Sequence, residues 1–320
     1  MLWKKSKGNN PEPLIAAFNV LLVDLDGVVY AGERPIPSAI DALTRANESK
    51  TTAFVTNNAS RTDIQVAELL QRLGLSWVNE KLVITSPQAA VRMLKKLVDA
   101  PANILVVGGD GVVDELQKAG YTPVRDADEN PKAVIQGFHR EVGWKDLAEA
   151  AYAIQNLGIP WIATNQDWTI PQERGIAPGN GTLVSAVHTA VGILAEVAGK
   201  PEIPIFHQAL ERFGITPENE DSKSRVLVVG DRLDTDIRGA GNTGLESLLV
   251  LTGIDGPKQI LAATGNDRPT YIVDSLQELF EPYPQLQVSG NTYVSGDARV
   301  RLAGDDIVID NLGSNHTDLV

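Results

Sequence analysis

From residue 14 to residue 94 the chain alternates short aliphatic or β-branched runs with helical patterns, and this alternation limits its fold more than any other feature. "VLLVDL" (Val20 to Leu25) reads as a buried strand, "PSAIDALTRANES" as a helix entered through Pro37 and Ser38, and "TTAFVT" as a second strand. "RTDIQVAELLQRLG" reads as a helix with a capping box, Thr62 with Gln65, and with Gly74 at its C-terminal end. "KLVITS" makes a third strand. Strand and helix in alternation imply right-handed crossovers and a parallel sheet. The same grammar returns later in "PIFHQALERFG", whose Ile205, Ala209, Leu210 and Phe213 share a helical face. It continues in the strand "RVLVVGD", the short helix of "DIRGAGNTG", the strand "ESLLVLTG" and the closing "PTYIVDSLQELF".

Between these halves lies a second βα-rich block with "NILVVGGDGVVDELQKAG", "KAVIQGF", "KDLAEAAYAIQNLG" and "PWIATN", then the Gly/Pro-rich "IPQERGIAPGNG". The expected fold class is therefore α/β: a doubly wound, Rossmann-like parallel-sheet core interrupted by an inserted α/β domain. The expected bounds are 14–94 for the first core part, 95–180 for the insertion and 181–285 for the second core part, with "PGNG" (Pro178 to Gly181) as the return, its glycines a hinge, a phosphate-side loop or both. From 286 to 320 the pattern changes to two or three short strands with Gly-Asp turns and a polar tail, a short β-rich extension.

Composition narrows the partners. Forty-one acidic residues against 28 basic ones give a formal charge of −13, which argues against a general binder of nucleic acid or anionic membranes. There is no cysteine, so disulfides, thiolate catalysis and cysteine-based zinc sites are excluded. The N-terminal stretch has no apolar segment with a cleavage site, and no run approaches the roughly 18 apolar residues of a membrane span. The expectation is a soluble cytoplasmic protein.

Open parallel sheets bind ligands beyond the carboxyl ends of their strands, so the residues found there are the ones to read for function. The first strand ends in Asp24 and Asp26, and the second in Thr56, Asn57 and Asn58. Lys200 precedes the helix near 204, and "RVLVVGD" ends in Asp231 with Asp234 and Asp236 just beyond. Period-two geometry would point Asp24 and Asp26 the same way. Like charges held that close need a cation between them or a proton on one. Acids, a hydroxyl and a lysine at one edge suit Mg²⁺ and a phosphoryl group, because hard oxygen ligands favour Mg²⁺ and the metal keeps room for a substrate phosphate.

The motifs "DLDGVVY", "FVTNN", the lysine of "GKP" and "VVGDRLDTDI", in this order across nearly all of 20–285, resemble those of the haloacid dehalogenase superfamily of phosphatases. "TNNASRT", "GDRLDTDI" and the large α/β cap between the Thr and Lys motifs are similar to the NagD-like branch. That branch (class IIA, with a C2-type cap) includes p-nitrophenyl, glycerol-phosphate and phosphoglycolate phosphatases. The resemblance implies an Mg²⁺-dependent phosphomonoesterase of small phosphorylated metabolites. In it Asp24 is the nucleophile, forming an aspartyl phosphate, and Asp26 the general acid and then base. Lys200 neutralises charge on Asp24 and the phosphoryl oxygens. Thr56, Asn57 and the amides after Asp24, from Gly27 among others, hold those oxygens. Mg²⁺ takes the side chains of Asp24 and Asp231 and the backbone carbonyl of Asp26, with Asp236 supporting them. A homodimer through the cap, around 95–180, is also implied.

Competing readings are fewer. An EF-hand starting at Asp24 would need Gly where Val29 stands and Glu where Pro35 stands. "VVGGDG" (Val106 to Gly111) does not satisfy G-x-G-x-x-G and reads as a strand-to-helix turn. His139, His188, His207 and His316 show no ligand spacing and read as structural or surface residues. Asp234 is either a solvated acid or the cap of a helix. In the cap, Asn165 and Asp167 belong to a "TN-x-D" that resembles the segment facing the active site in this branch, which implies a part in substrate specificity for both. Arg174 either meets a substrate oxygen or sits on the surface, and Trp168 either walls the pocket or packs.

Overall fold

The computed structural model describes residues 12–313 apart from Glu33, Glu173 and Asp305. The expectations for His316 and for the tail from 314 onward lie outside the described residues. In chain order the strands used below are β1 (Val20–Val23), β2 (Thr51–Thr56) and β3 (Val83–Thr85), then β4 (Asn103–Val107), β5 (Thr122–Val124), β6 (Ala133–Gln136) and β7 (Trp161–Ala163). A hairpin of β8 (Thr169–Gln172) and β9 (Gly175–Pro178) and a short β10 (Glu196–Val197) follow. The chain then adds β11 (Val226–Gly230), β12 (Glu246–Val250) and β13 (Tyr271–Val273). It ends in β14 (Gln287–Ser289), β15 (Thr292–Ser295), β16 (Ala298–Ala303) and β17 (Asp306–Leu312). The helices used below are α1 (Pro37–Asn47), α2 (Asp63–Arg72), α3 (Ser86–Leu94), α4 (Asp110–Lys118), α5 (Trp144–Leu157), α6 (Asn180–Val191) and α7 (Ile203–Arg212).

Two parallel sheets result. The first has the order β13-β12-β11-β1-β2-β3, so sequentially distant β1 and β11 lie side by side at its centre. The order reverses beside β1, and in doubly wound sheets that crevice is where ligands bind. The second sheet has the order β10-β7-β6-β4-β5. The α/β reading of both halves holds.

Alternation along β1 divides the core. Leu21 and Val23 face one layer with Leu43, Phe54, Leu227 and Val250, all buried. Val20 and Leu22 face the other with Ala53, Val55, Phe206, Leu210 and Val228. Burying each large aliphatic side chain is worth about 1.5–3 kcal/mol, so a one-residue slip of β1 would be costly. The second layer does not stop at the first sheet. It passes through Ala89, Ala90 and Leu94 of α3 to Ile104, Val106, Ile135 and Ile162 of the second sheet. The two sheets therefore share one apolar layer.

Local signals account for several boundaries. The capping box at Thr62 and Gln65 is formed, and Gly74 takes φ +117° after α2. A second box, Thr85 with Gln88, opens α3 where the sequence shows only a strand end. Past 181, the expected return, the chain still runs along the second sheet. α6 packs on α5, and β10 pairs with β7 before the chain reaches Gly199. Gly179 and Gly181 lie there against a neighbouring backbone segment. A Cβ at Gly179 would come within 2.1 Å of the Asp167 carbonyl oxygen, and one at Gly181 within 2.4 Å of that of Gln166. They are small because the β7–β8 connection lies against them.

The C-terminal extension has four antiparallel strands rather than two or three, because β14 precedes a Gly290–Asn291 turn. Val288, Tyr293, Val300 and Ile309 fall in one row across it. Among the described residues no helix is long and apolar enough to cross a membrane.

Candidate active site

β1 ends at Val23, but the Asp24 N–H still bonds the Val229 carbonyl at 2.8 Å, which fixes the first acid beside β11. The chain then turns. Val29 donates to the Leu25 carbonyl at 2.8 Å, Leu25 is buried, and Gly27 takes φ +80°. The turn separates the acids that a continuing strand would have kept on one face. The Asp24 carboxylate points inward and pairs with the Lys200 ammonium. Asp26 remains open to solvent, with a hydrogen bond from the Tyr30 hydroxyl and the Arg61 charge nearby.

Lys200 is the buried centre of the site. Its Nζ pairs with Asp24, with Asp236 Oδ1 at 2.7 Å and with the Val55 carbonyl at 3.1 Å. Burial alone would lower its pKa, but Asp236 and Asp24 outweigh burial and hold it above the ordinary lysine range. It is a fixed cation.

Asp231 follows β11 and is almost fully buried. Its Oδ2 accepts the Ile254 N–H at 2.9 Å, while its Oδ1 is buried with no hydrogen-bond partner among the described residues. Glycines make the space. A Cβ at Gly27 would lie 2.1 Å from Asp231 Oδ2, and one at Gly253 only 1.9 Å from it. Gly253 and Ile254 were missed by sequence reasoning. Their only signal is that they follow β12, another strand ending at the same edge.

Asp236 reaches the site through a wide turn over Leu233–Ile237, in which the Ile237 N–H reaches back to the Arg232 carbonyl at 3.2 Å. Such π-type turns recur at functional sites. This one turns Asp236 inward and leaves Asp234 exposed, paired with Arg232 at 2.8 Å. Asp234 is thus a surface ion-pair partner. Asp236 uses both oxygens, one on Lys200 and the other on the Arg232 N–H at 3.3 Å.

Asp24, Asp231 and Asp236 offer oxygens within 4.8 Å of one another. Burial, with repulsion from Asp236 and Asp24, pushes Asp231 up to about 8, and burial pushes Asp236 to about 6. Asp24 also stands above the usual carboxylate range, chiefly through burial. A divalent cation relieves this repulsion, and the unpartnered Asp231 Oδ1 supplies a hard oxygen for it. The site fits Mg²⁺. Asp63, Asp114 and Glu115 form a second acidic group, but Lys118 reaches all three at 2.9, 2.7 and 3.0 Å, so an ammonium already stands among its oxygens.

Thr56 ends β2 and is buried, its Oγ1 accepting the Asn58 N–H at 3.1 Å. The Asn57 side chain does not face an open phosphate position. Its Oδ1 accepts the Lys200 N–H at 2.8 Å, and its Nδ2 donates to the Lys200 carbonyl and to Asp167 Oδ1, each at 3.0 Å. Asn165 is buried and donates to the Asn57 carbonyl at 2.8 Å. Asn165 and Asp167 therefore reach the site. Arg174 is exposed in the turn of the β8–β9 hairpin, and among the described residues no contact ties it to the acids. Trp168 is mostly exposed and does not pack into the core.

Comparison with known proteins identifies the family. A haloacid dehalogenase-like hydrolase model matches residues 21–122, and a HAD-hydrolase-like model matches 197–279. The chain is 42% identical over 269 residues to D-glycerol 3-phosphate phosphatase of Mycobacterium tuberculosis, covering 84% of this chain and 73% of that protein. It is 34% identical over 258 residues to 5'-nucleotidase YutF of Bacillus subtilis, covering 80% and 95%. The crystal structure of the Mycobacterium tuberculosis glycerol phosphate phosphatase in complex with magnesium superposes with TM-score 0.79 at 39% identity, over 88% of this chain and 86% of that one.

Proposed function

Because the chain belongs to the haloacid dehalogenase-like hydrolases, we propose that Asp24 is the nucleophile of its phosphatase reaction and that Lys200, Asp231 and Asp236 assemble around it for that purpose. The chain is a Mg²⁺-dependent phosphatase of small phosphorylated metabolites. The observation that carries the assignment is one buried ammonium paired with both Asp24 and Asp236, beside an Asp231 oxygen that has no other partner.

Asp24 and Asp231 would hold Mg²⁺ through their side chains and Asp26 through its backbone carbonyl. When bound, the metal neutralises charge on the phosphoryl oxygens and keeps Asp24 ionised. An Asp24 oxygen attacks phosphorus and the ester P–O bond breaks, leaving an aspartyl phosphate. Asp26 gives its proton to the departing alkoxide. Its openness to solvent suits it to that exchange. Water then attacks phosphorus, Asp26 takes the water's proton, and cleavage of the acyl-phosphate P–O bond restores the Asp24 carboxylate. Throughout, Lys200 balances the charge on Asp24, and Thr56 and the backbone around Gly27 hold the phosphoryl oxygens.

The substrate we favour is glycerol phosphate or phosphoglycolate, supported by the 42% identity with D-glycerol 3-phosphate phosphatase. The second reading, a nucleotide or sugar phosphate, is favoured by the 34% identity with a 5'-nucleotidase. Phosphate release from a panel of glycerol 3-phosphate, phosphoglycolate, sugar phosphates and nucleoside monophosphates decides between them. A kcat/KM for the three-carbon or two-carbon esters at least ~10-fold above the rest is expected. A nucleotide preference would replace the first reading, and no release from any ester would make the protein a catalytically silent relative.

The inserted cap runs in this reading from about 95 to about 198, since β10 still belongs to its sheet. It roofs the cleft of a cytoplasmic homodimer and forms the dimer contact, for which its exposed Trp144, Ile176 and Leu194 offer apolar surface.

A further inference from the structure

Asp167 lies on the β7–β8 connection of the inserted sheet, yet its carboxylate ends on Asn57 of the first sheet. Asn57 is less than a tenth exposed, and its amide spans both sides of one peptide segment. The Lys200 N–H enters its Oδ1 at 2.8 Å, and its Nδ2 serves the Lys200 carbonyl and Asp167 Oδ1, each at 3.0 Å. An amide can make this set of bonds in only one orientation. Flipped, it would aim its oxygen at a carboxylate and a carbonyl, and its NH₂ at the Lys200 N–H.

The surroundings leave that segment no alternative place. A Cβ at Gly199 would lie 2.4 Å from Asn57 Oδ1 and 2.5 Å from the Thr164 carbonyl oxygen. The Asn57 carbonyl is held at 2.8 Å by both Ser86 Oγ and Asn165 Nδ2, and Asn165 Oδ1 takes the Asp167 N–H at 3.1 Å. The inserted sheet thus reaches the catalytic lysine through a closed set of hydrogen bonds.

We propose that Asp167 is a positioning residue: by fixing the Asn57 amide it sets the Lys200 backbone, and through it the reach of the ammonium to Asp24. It acts on catalysis rather than on substrate choice. This rests on the phosphatase reading above. Misplacing a catalytic group by about 1 Å can cost ~100-fold in rate, so a partial loss of this restraint is expected to cost about 10-fold in kcat.

The test compares Asp167→Ala with Asp167→Asn, using p-nitrophenyl phosphate and glycerol 3-phosphate with Mg²⁺. Asparagine keeps an acceptor oxygen for Asn57 Nδ2, and alanine does not. Asp167→Ala is expected to lose about 10-fold in kcat on both substrates with KM within about twofold, and Asp167→Asn to recover to within about threefold of wild type. Hydrogen exchange at the Lys200 N–H should quicken in Asp167→Ala and stay slow in Asp167→Asn. Equal damage by both variants, a rise in KM on one substrate only, or wild-type kcat in both would overturn the proposal. If the wild type releases no phosphate, the phosphatase reading fails instead. The exchange comparison still decides the positioning role, with unchanged exchange in Asp167→Ala refuting it.

Discussion

Asp231 shows how much of a site depends on what is left out. Two glycines far apart in sequence, Gly27 and Gly253, give its carboxylate room, and the Ile254 N–H anchors one oxygen so that the other stays unpartnered. Gly253→Ala would drive a Cβ into Asp231 and should lower kcat/KM by ~100-fold, a wild-type value arguing against this cradle. Asp24→Asn replaces the carboxylate proposed as nucleophile by an amide. We expect a loss of at least ~1,000-fold in kcat, and more than about a tenth of the wild-type rate would contradict the nucleophile. In the metal-free protein burial and neighbouring acids raise Asp231 to about 8, so below that pH Mg²⁺ must displace a proton. Calorimetry should therefore show Mg²⁺ affinity rising from pH 6 to pH 8 with proton release, and a flat profile would speak against these ligands. The acids were legible because strand ends are, and the lysine because it stands in "GKP" just ahead of a helix. Ile254 was not, since it acts through a backbone N–H that every residue has. The Asn57 bonds were hidden for another reason: Lys200 lies 143 residues away in sequence.

Among the elements, β1, β2 and β11 follow directly from their aliphatic runs, and α2 from its capping box and Gly74. Two elements could not be read that way. The wide turn at Leu233–Ile237 depends on a hydrogen bond back to Arg232, which no residue preference announces. It decides which acid of "DTD" faces inward. "PGNG" looks like a hinge in sequence, but its glycines answer to the close carbonyls of Gln166 and Asp167. β14–β17 add a separate antiparallel sheet, and every residue named at the site precedes it. A chain ending after Pro284 keeps Tyr283, whose hydroxyl accepts the Ile272 N–H at 3.1 Å. Its kcat/KM should stay within about twofold of the full chain, whereas a loss beyond ~10-fold would give that sheet a part in the active enzyme.

For the whole molecule, the shared apolar layer through α3 and the Asn57 bonds join the inserted sheet to the reacting edge of the first. The chain mass is 34.4 kDa, and light scattering at micromolar concentration should give about twice that for a dimer formed through the cap, with a monomer mass counting against it. The measurement that bears most directly on the central claim is phosphate release from glycerol 3-phosphate with Mg²⁺, after chelation, and after Mg²⁺ is restored. Turnover that falls at least ~100-fold on chelation and returns with the metal is the predicted result. Turnover that survives chelation unchanged would contradict a Mg²⁺ site built on Asp24 and Asp231.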